Sequence, residues 1–300
     1  METEQLENVQ HNAKVISFIN MKGGVGKTTL CIGLGEYLAN YANKKILFVD
    51  MDPQFNTTQS VMDLFDLTDE YMNNYRKNKS VREIFKDTET VSEIPKLPNP
   101  EDIIINLSGN DEEKNMSIIC GSIDLIKDDD SRKSKFKRLN KFLSQKYIKE
   151  NFDYVFIDCP PTISFYTDAA LFASQYYVIP TKIDRYSVLG VQLLYTVIKQ
   201  LQFDEDKTLK SLGVIYTNLP SPLTKKSKEI KEIFEKEESI KGWGVFTNST
   251  HLVNDLMVGK QGNFSSHYKK SRKDIKRIAI EFTKKFGDDI KDEIESNEKK

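Results

Sequence analysis

The chain has 300 residues, 38% of them hydrophobic, enough for one large α/β core or two modest ones. Its 44 basic and 45 acidic residues leave a net charge of −1, so no global field gathers nucleic acid or an anionic membrane, and any such binding must come from a local patch. Three widely separated cysteines, Cys31, Cys120 and Cys159, show neither C-x-x-C nor disulfide-framework spacing, and there is neither a signal-peptide layout nor an apolar run of about 18 residues. A reducing, cytoplasmic setting without a membrane span is expected.

The first element is the strand-like run Val15-Ile16-Ser17-Phe18-Ile19-Asn20. It ends in Met21-Lys22-Gly23-Gly24-Val25-Gly26-Lys27-Thr28-Thr29 and continues as a helix to the region of Tyr41, with Leu30, Leu34, Tyr37 and Leu38 on its inner face. Strand, glycine-rich turn and helix N-terminus, in that order, aim a row of backbone N–H groups and the positive end of a helix dipole at one point, which suits a polyphosphate. A nucleoside triphosphate is the expected ligand, with Lys27 reaching its β- and γ-phosphates. The strict pattern G-x-x-x-x-G-K-[ST] fails once, because Met21 stands where the first glycine belongs. Lys22, directly after it, sits on the rim of the turn and points away from the nucleotide its own loop holds. It is either a solvated loop lysine or a group with a target elsewhere.

Lys45 to Val49 reads as a buried strand that delivers Asp50-Met51-Asp52-Pro53-Gln54 at its C-terminal end, where open α/β sheets bind ligands. Between Leu64 and Pro100 the periodicity weakens and Pro95, Pro98 and Pro100 break the chain, which predicts an irregular or partly helical insertion over 64–116. Ser117 to Gly121 reads as a short strand and Arg132 to Lys149 as a basic amphipathic helix. That helix leads into the strand Tyr154 to Ile157, tipped by Asp158-Cys159-Pro160-Pro161. Further on come a strand at Tyr176 to Pro180, a long apolar helix over Ser187 to Leu201, and a strand at Leu212 to Asn218. A charged helix over Thr224 to Glu237, a short strand at Val245 and a last helix from Ser271 close the chain. This alternation predicts an α/β fold, a doubly wound and mostly parallel sheet with helices on both faces. The expected organisation is a loose arm over 1–13, one domain over 14–287 and a loose charged tail over 288–300.

The octapeptide Lys22 to Thr29, followed in order by Asp50-x-Asp52-Pro53-Gln54 and by Asp158 at a strand tip, resembles the deviant Walker A, switch I and Walker B motifs of the ParA/MinD family of P-loop ATPases. The resemblance covers roughly Lys14 to Phe286 and weakens after Pro180. It implies the P-loop NTPase fold, ATP and Mg2+ as ligands, and slow hydrolysis of ATP to ADP and phosphate. Carried over residue by residue, it implies that Gly23, Gly24, Val25, Gly26, Lys27, Thr28 and Thr29 hold the phosphates, and that Lys22 crosses the interface of a nucleotide-sandwich homodimer to the partner's ATP. Thr28, Asp158 and Asp52 then belong to the metal site, and Asp52 orients or activates the attacking water. Asp50, Pro53, Gln54 and Pro160 are the corresponding switch positions, with Gln54 coupling the water site to the interface. Gly213 to Asn218 looks like the family strand that ends beside the base, which makes Asn218 a candidate adenine contact; a turn-capping asparagine is the alternative. The cysteine arrangement counts against the family's iron–sulfur members.

Within the family, cell-division members carry a C-terminal amphipathic membrane helix. The tail from Asp289 to Lys300 has five acidic residues, three basic ones and two isoleucines, and does not fit that role. With the first strand at Lys14, no winged-helix module for operator binding is expected. The small ParA type of plasmid or chromosome partition remains. Such ATPases bind DNA nonspecifically as an ATP dimer, associate with the nucleoid in that state, and are stimulated by a centromere-binding protein of ParB type. Lys269, Lys270, Arg272, Lys273, Lys276 and Arg277, interrupted only by the acid Asp274, are the candidate DNA contacts, since phosphate neutralisation gives sequence-independent affinity. Arg132, Lys133, Lys135, Lys137 and Arg138 form a second cluster, opposed by the preceding Asp128-Asp129-Asp130. Either cluster can also be read as a solvated helix face. The arginines that relatives often carry after the last short strand are replaced here by Thr247-Asn248-Ser249-Thr250-His251. The competing reading is a positioning or regulatory adaptor that acts on protein cargo without DNA.

Overall fold

The apolar runs pair into one sheet whose strand ends lie level. The computed structural model describes residues 12–86, 95–107, 115–128, 135–184 and 186–298. Seven strands, β1 (Lys14–Phe18), β2 (Ile46–Asp50), β3 (Ile105–Asn106), β4 (Met116–Ile119), β5 (Tyr154–Asp158), β6 (Tyr176–Thr181) and β7 (Lys210–Tyr216), lie in the order β3-β4-β2-β5-β1-β6-β7. Every pairing is parallel except that of the edge strand β3 with β4. In the pairing register Phe18 and Asp50 both stand opposite Asp158, so the loops after β1, β2 and β5 leave the sheet side by side.

Successive residues of each strand face opposite layers. Val155 and Ile157 join one buried cluster and Tyr154 and Phe156 the other, which is why these strands read as continuous apolar runs rather than alternating ones. The helices that bear on the site are α1 (Lys27–Ala42), α2 (Asn56–Leu64), α3 (Lys137–Leu143), α4 (Lys146–Asn151), α5 (Phe165–Ala173), α6 (Ser187–Glu205), α7 (Lys225–Lys236), α8 (Lys269–Lys284) and α9 (Lys291–Asn297). Helices α1, α8 and α9 cover the face that carries Phe18, Phe48 and Phe156; α3, α5 and α6 contribute to the other.

Two expectations are corrected. The single helix over 132–149 is two helices, α3 and α4, among the described residues. The Ser144 hydroxyl bonds back to the Asn140 carbonyl at 2.7 Å, and Gln145 turns extended to start α4. Residues 132–134 of that span, and Asp129 and Asp130, lie outside the described residues, as do 1–11 of the N-terminal arm. The tail over 288–298 is not loose: α9 docks on α1 with Ile290 and Ile294 buried. Within the expected insertion the described residues form short helical segments, including a π-helical turn at Tyr71–Tyr75, and then β3.

The approach of α1 to the sheet depends on a glycine. A Cβ on Gly35 would stand 2.5 Å from two ring carbons of Phe48 and 3.2 Å from Ile46 Cγ2. Gly35→Val therefore overpacks a dense interface and should cost about 1–3 kcal/mol. Urea denaturation reads this as a lower midpoint at unchanged slope; a wild-type midpoint would show that α1 can lift off the sheet without penalty.

Candidate nucleotide site

The turn between β1 and α1 folds as its glycines dictate. Gly24 and Gly26 adopt φ of +67° and +86°, backbone that an L side chain strains to reach. The Thr217 hydroxyl donates to the Val25 carbonyl, and the Asn20 side chain accepts from Lys22 N at 3.0 Å while donating to Pro180 O at 2.8 Å, so the loop is pinned to β6 and β7. Lys27 begins α1, buried, with its ammonium 3.3 Å from the Lys22 carbonyl. Burial lowers its pKa, against the pull of Asp158 and Asp52.

Asp158 and Asp50 are both fully buried at adjacent strand tips. One Asp158 oxygen, Oδ2, accepts from the Thr28 hydroxyl at 2.6 Å and the Thr57 hydroxyl at 2.8 Å. The other, Oδ1, is buried without a hydrogen-bond partner. Burial pushes the Asp158 carboxyl up to about 6, with the two hydroxyls and Lys27 pulling the other way. Asp50 accepts from Thr58 N at 2.8 Å and from the Thr58 hydroxyl at 2.7 Å, and that hydroxyl accepts from Gly121 N at 2.8 Å. Burial, and after it the Asp158 carboxylate, pushes Asp50 up to about 8. Asp50 is thus an internal tie between β2, α2 and the chain after β4.

Asp52 lies beyond this pair, in the wall of a cleft of about 560 Å³ whose lining also includes Gly23, Lys27, Thr28, Gln54 and Asn218. Its carboxylate accepts from Gln54 N at 3.0 Å and its carbonyl from Phe55 N at 2.8 Å, a tight turn in the cleft wall. Asn218 has a left-handed backbone, donates its N–H to the Thr250 hydroxyl at 3.1 Å, and its side chain flanks Gly26. The turn position and the cleft position coincide in one residue. Pro161 lines the cleft, with Pro160 buried behind it. Lys22 does not line the cleft. Its ammonium pairs with Asp184 and stands 5.9 Å from the centre of the Tyr186 ring.

The donor set fits a hard divalent cation. An orphan carboxylate oxygen on Asp158 beside a threonine hydroxyl wants a cation or a water of its shell, and both ligand types are oxygens. Among the described residues no group of three or more His, Cys, Asp or Glu could hold a metal unaided. That suits Mg2+, which is commonly held by one or two carboxylates together with substrate phosphates.

A family model described as an AAA domain matches residues 13–211. The chain belongs to that family, of the ParA/MinD type. As a ParA-like P-loop ATPase it is 33% identical over 207 residues to the sporulation initiation inhibitor protein Soj of Bacillus subtilis, covering 69% of this chain and 73% of that protein. The chromosome-partitioning ATPase Soj of Treponema pallidum is 30% identical over 224 residues, 72% of this chain and 76% of its own length. A putative plasmid partition protein of Borrelia burgdorferi, solved bound to AMPPNP, superposes with a TM-score of 0.67 at 24% identity over 91% of this chain and 99% of its own. An ATP complex of Cyanothece McdA gives 0.69 at 20% identity over 92% of this chain and 97% of its own. Both structures show that the ParA-like fold is shared.

Several cleft residues of this ParA-like chain have no motif to reveal them. Lys182 follows β6, at the sheet end where ligands bind, and position alone could have found it. Leu256, Met257 and Asn263 come from a segment with no periodic signal. The six candidate DNA residues share α8, outside the cleft; Lys269, Lys270, Arg272, Lys273 and Arg277 are exposed and Lys276 is half-buried. Among the described residues no helix is long and apolar enough to cross a membrane.

The Asp50 carboxyl gives a pH prediction. Its folded value of about 8 lies above its ordinary 3.8, so the protonated form favours folding; that contribution is complete below the ordinary value and lost as pH rises through about 8. Asp50→Asn keeps a neutral group there. Without nucleotide, the urea midpoint of wild type should fall relative to that of Asp50→Asn as pH is raised from about 5 to 8. A gap that stays constant with pH would assign the titration elsewhere.

Proposed function

We propose that this chain is a Mg2+-dependent ATPase of slow turnover whose nucleotide state switches it from a monomer to a sandwich homodimer that holds DNA nonspecifically, in a partition system with a centromere-binding partner of ParB type. The observation that carries the reading is the convergence of Lys27, Thr28 and Asp52 in one cleft at the C-terminal ends of β1, β2 and β5, with Asp158 buried and bonded to the Thr28 hydroxyl, one of its oxygens unpartnered. Relatives named as partition ATPases, and neighbours solved with AMPPNP and with ATP, support it.

The roles follow from position. Backbone N–H groups from Gly23 to Thr29, at the N-terminus of α1, bind the phosphates, and Lys27 neutralises charge that grows on them in the transition state. Thr28 and Asp158 hold the cation and Asp52 completes its surroundings. When bound, Mg2+ supplies positive charge to the phosphate oxygens. Asp52, at the cleft wall, orients the attacking water, and Gln54 beside it links that water to the dimer face. Asn218, with Leu256 nearby, receives the base.

Two features support the dimer. Lys22 lies outside its own cleft, and Tyr186, just before α6, and Leu189 and Leu193 on it are exposed by 70%, 59% and 47%. Apolar groups rimming a cation at the mouth of the site are what a second copy would cover. The exposed cations of α8 supply the phosphate-neutralising surface.

Two variants separate the parts. Asp52→Ala leaves the phosphate loop and Asp158 intact, so it should bind ATP with Mg2+, lose hydrolysis by about two orders of magnitude or more, and accumulate as dimer in light scattering. A variant that binds ATP but stays monomeric removes the water-orienting role. Lys22→Ala should still bind nucleotide through Lys27 and the backbone, yet lose ATP-dependent dimerisation, stimulated hydrolysis and DNA retention together, because two joined basic faces bind far more tightly than one. ATP-dependent dimers of Lys22→Ala by the same measurement would end the sandwich-dimer reading.

A further inference from the structure

The C-terminal segment reaches the surface assigned above to DNA. Ile290 and Ile294 anchor α9 on α1, and Lys44 with Asp288 at 3.0 Å, Lys284 with Asp289 at 3.4 Å and Asn43 Nδ2 with Glu293 at 3.2 Å tie its flank. From this mount the last turn folds back toward α8. Glu298 Oε2 accepts from Lys276 Nζ at 2.6 Å, Glu298 Oε1 accepts from the Tyr37 hydroxyl at 3.0 Å, and Asn297 Nδ2 donates to the Tyr41 carbonyl at 3.2 Å. Between α8 and this turn lies a cavity of about 960 Å³ lined by Lys269, Arg272, Lys273 and Lys276, with Glu298 at its edge. Four cations meet one carboxylate there.

We propose that Glu298 is an intramolecular stand-in for a DNA phosphate: its carboxylate occupies Lys276 and narrows the basic groove until a backbone phosphate of duplex DNA displaces it, so that the C-terminal segment sets the DNA affinity of this chain. The inference rests on the reading of α8 as the DNA surface. A carboxylate and a phosphate are both oxyanions that accept from the same ammonium and hydroxyl donors, and the Lys276 bond already holds the Glu298 carboxyl below its ordinary range. The tether keeps this competitor at high local concentration. The pair is nevertheless weak, since its side chains are 29% and 30% exposed and solvent screens them. DNA, which gains by releasing counterions, can displace it. Only the turn beyond Ile294 has to move, and the buried anchors stay in place.

The test uses the full chain with Mg2+ and a non-hydrolysable ATP analogue, titrated with a short mixed-sequence duplex by fluorescence anisotropy over a range of salt. Glu298→Gln should bind about two- to fivefold tighter at low salt, the span an exposed ion pair can offset. Its plot of log affinity against log salt should keep nearly the wild-type slope, because a phosphate reaches Lys276 in both proteins, and a slope steeper by about 0.9 per protomer would mean that Glu298 is never displaced in wild type. Lys276→Gln should weaken binding more in the Glu298→Gln background than in wild type. Glu295→Gln, which removes an exposed charge from the same helix, should shift affinity less. Equal gains from Glu295→Gln and Glu298→Gln would reduce the effect to net charge and overturn the stand-in. A Lys269→Gln/Lys273→Gln double variant monitors the surface itself. If it loses DNA while Glu298→Gln matches wild type, the inference fails and the DNA surface stands; if it keeps full DNA binding, the surface reading fails and takes the inference with it.

Discussion

Two carboxylates, Asp50 and Asp158, sit in register on neighbouring strand tips, fully buried, and the site is organised around their desolvation. Like charges so placed cannot both ionise without donors and a counter-charge. The sequence supplies these from the first turns of two helices. Helix α1 begins with Lys27 and Thr28, and α2 begins with Asn56, Thr57 and Thr58. Three hydroxyls and one ammonium thereby converge on two carboxylates, which fixes where both helices start. One oxygen of Asp158 is left over. The same arrangement that tolerates the buried charges thus leaves one ligand position for a cation.

The opposite end of α1 shows how packing produces a surface. Ile275, Ile278, Ala279 and Phe282 turn one side of α8 into the core against α1 and the sheet aromatics. With those four inside, Lys269, Lys270, Arg272, Lys273 and Arg277 must face solvent. Arg272 stacks on Tyr41 with its guanidinium 5.1 Å from the ring centre, so part of this basic face is held in place rather than free to sample rotamers. A basic surface ordered in this way loses less entropy on meeting a polyanion.

Helix α1 therefore touches both candidate surfaces, its first turn in the nucleotide cleft and its last turns beneath the basic groove. Spatial continuity of this kind does not make it a wire for nucleotide state. The proposed dimerisation needs none: two copies joined at Lys22 and α6 would double the basic face, and avidity would convert nucleotide occupancy into DNA affinity with no change of shape inside either copy. In that scheme the monomer stays rigid around the buried carboxylates, and regulation acts at the exposed groups, Lys22 at one end and Glu298 at the other.

The phosphate loop and both aspartate-tipped strands were legible in the sequence because each depends on local spacing: glycines at left-handed positions, a lysine at a helix start, a carboxylate at the end of an apolar run. Asp50 was legible as a position and not as a role, since only the pairing of β2 with β5 and the arrival of Thr58 show that it ties the loop together. Lys182, Leu256, Met257 and Asn263 reach the cleft from segments whose own patterns say nothing of a ligand. The break between α3 and α4 falls at Gln145, whose extended backbone interrupts a run that basic periodicity reads as continuous. The tail shows the limit best. Its charge and its two isoleucines describe a solvated segment when read alone, because two apolar residues cannot offset the entropy of ordering a chain end. Their burial becomes favourable only where α1 and α8 already present an apolar surface at the right distance, and that surface exists only after the chain has folded.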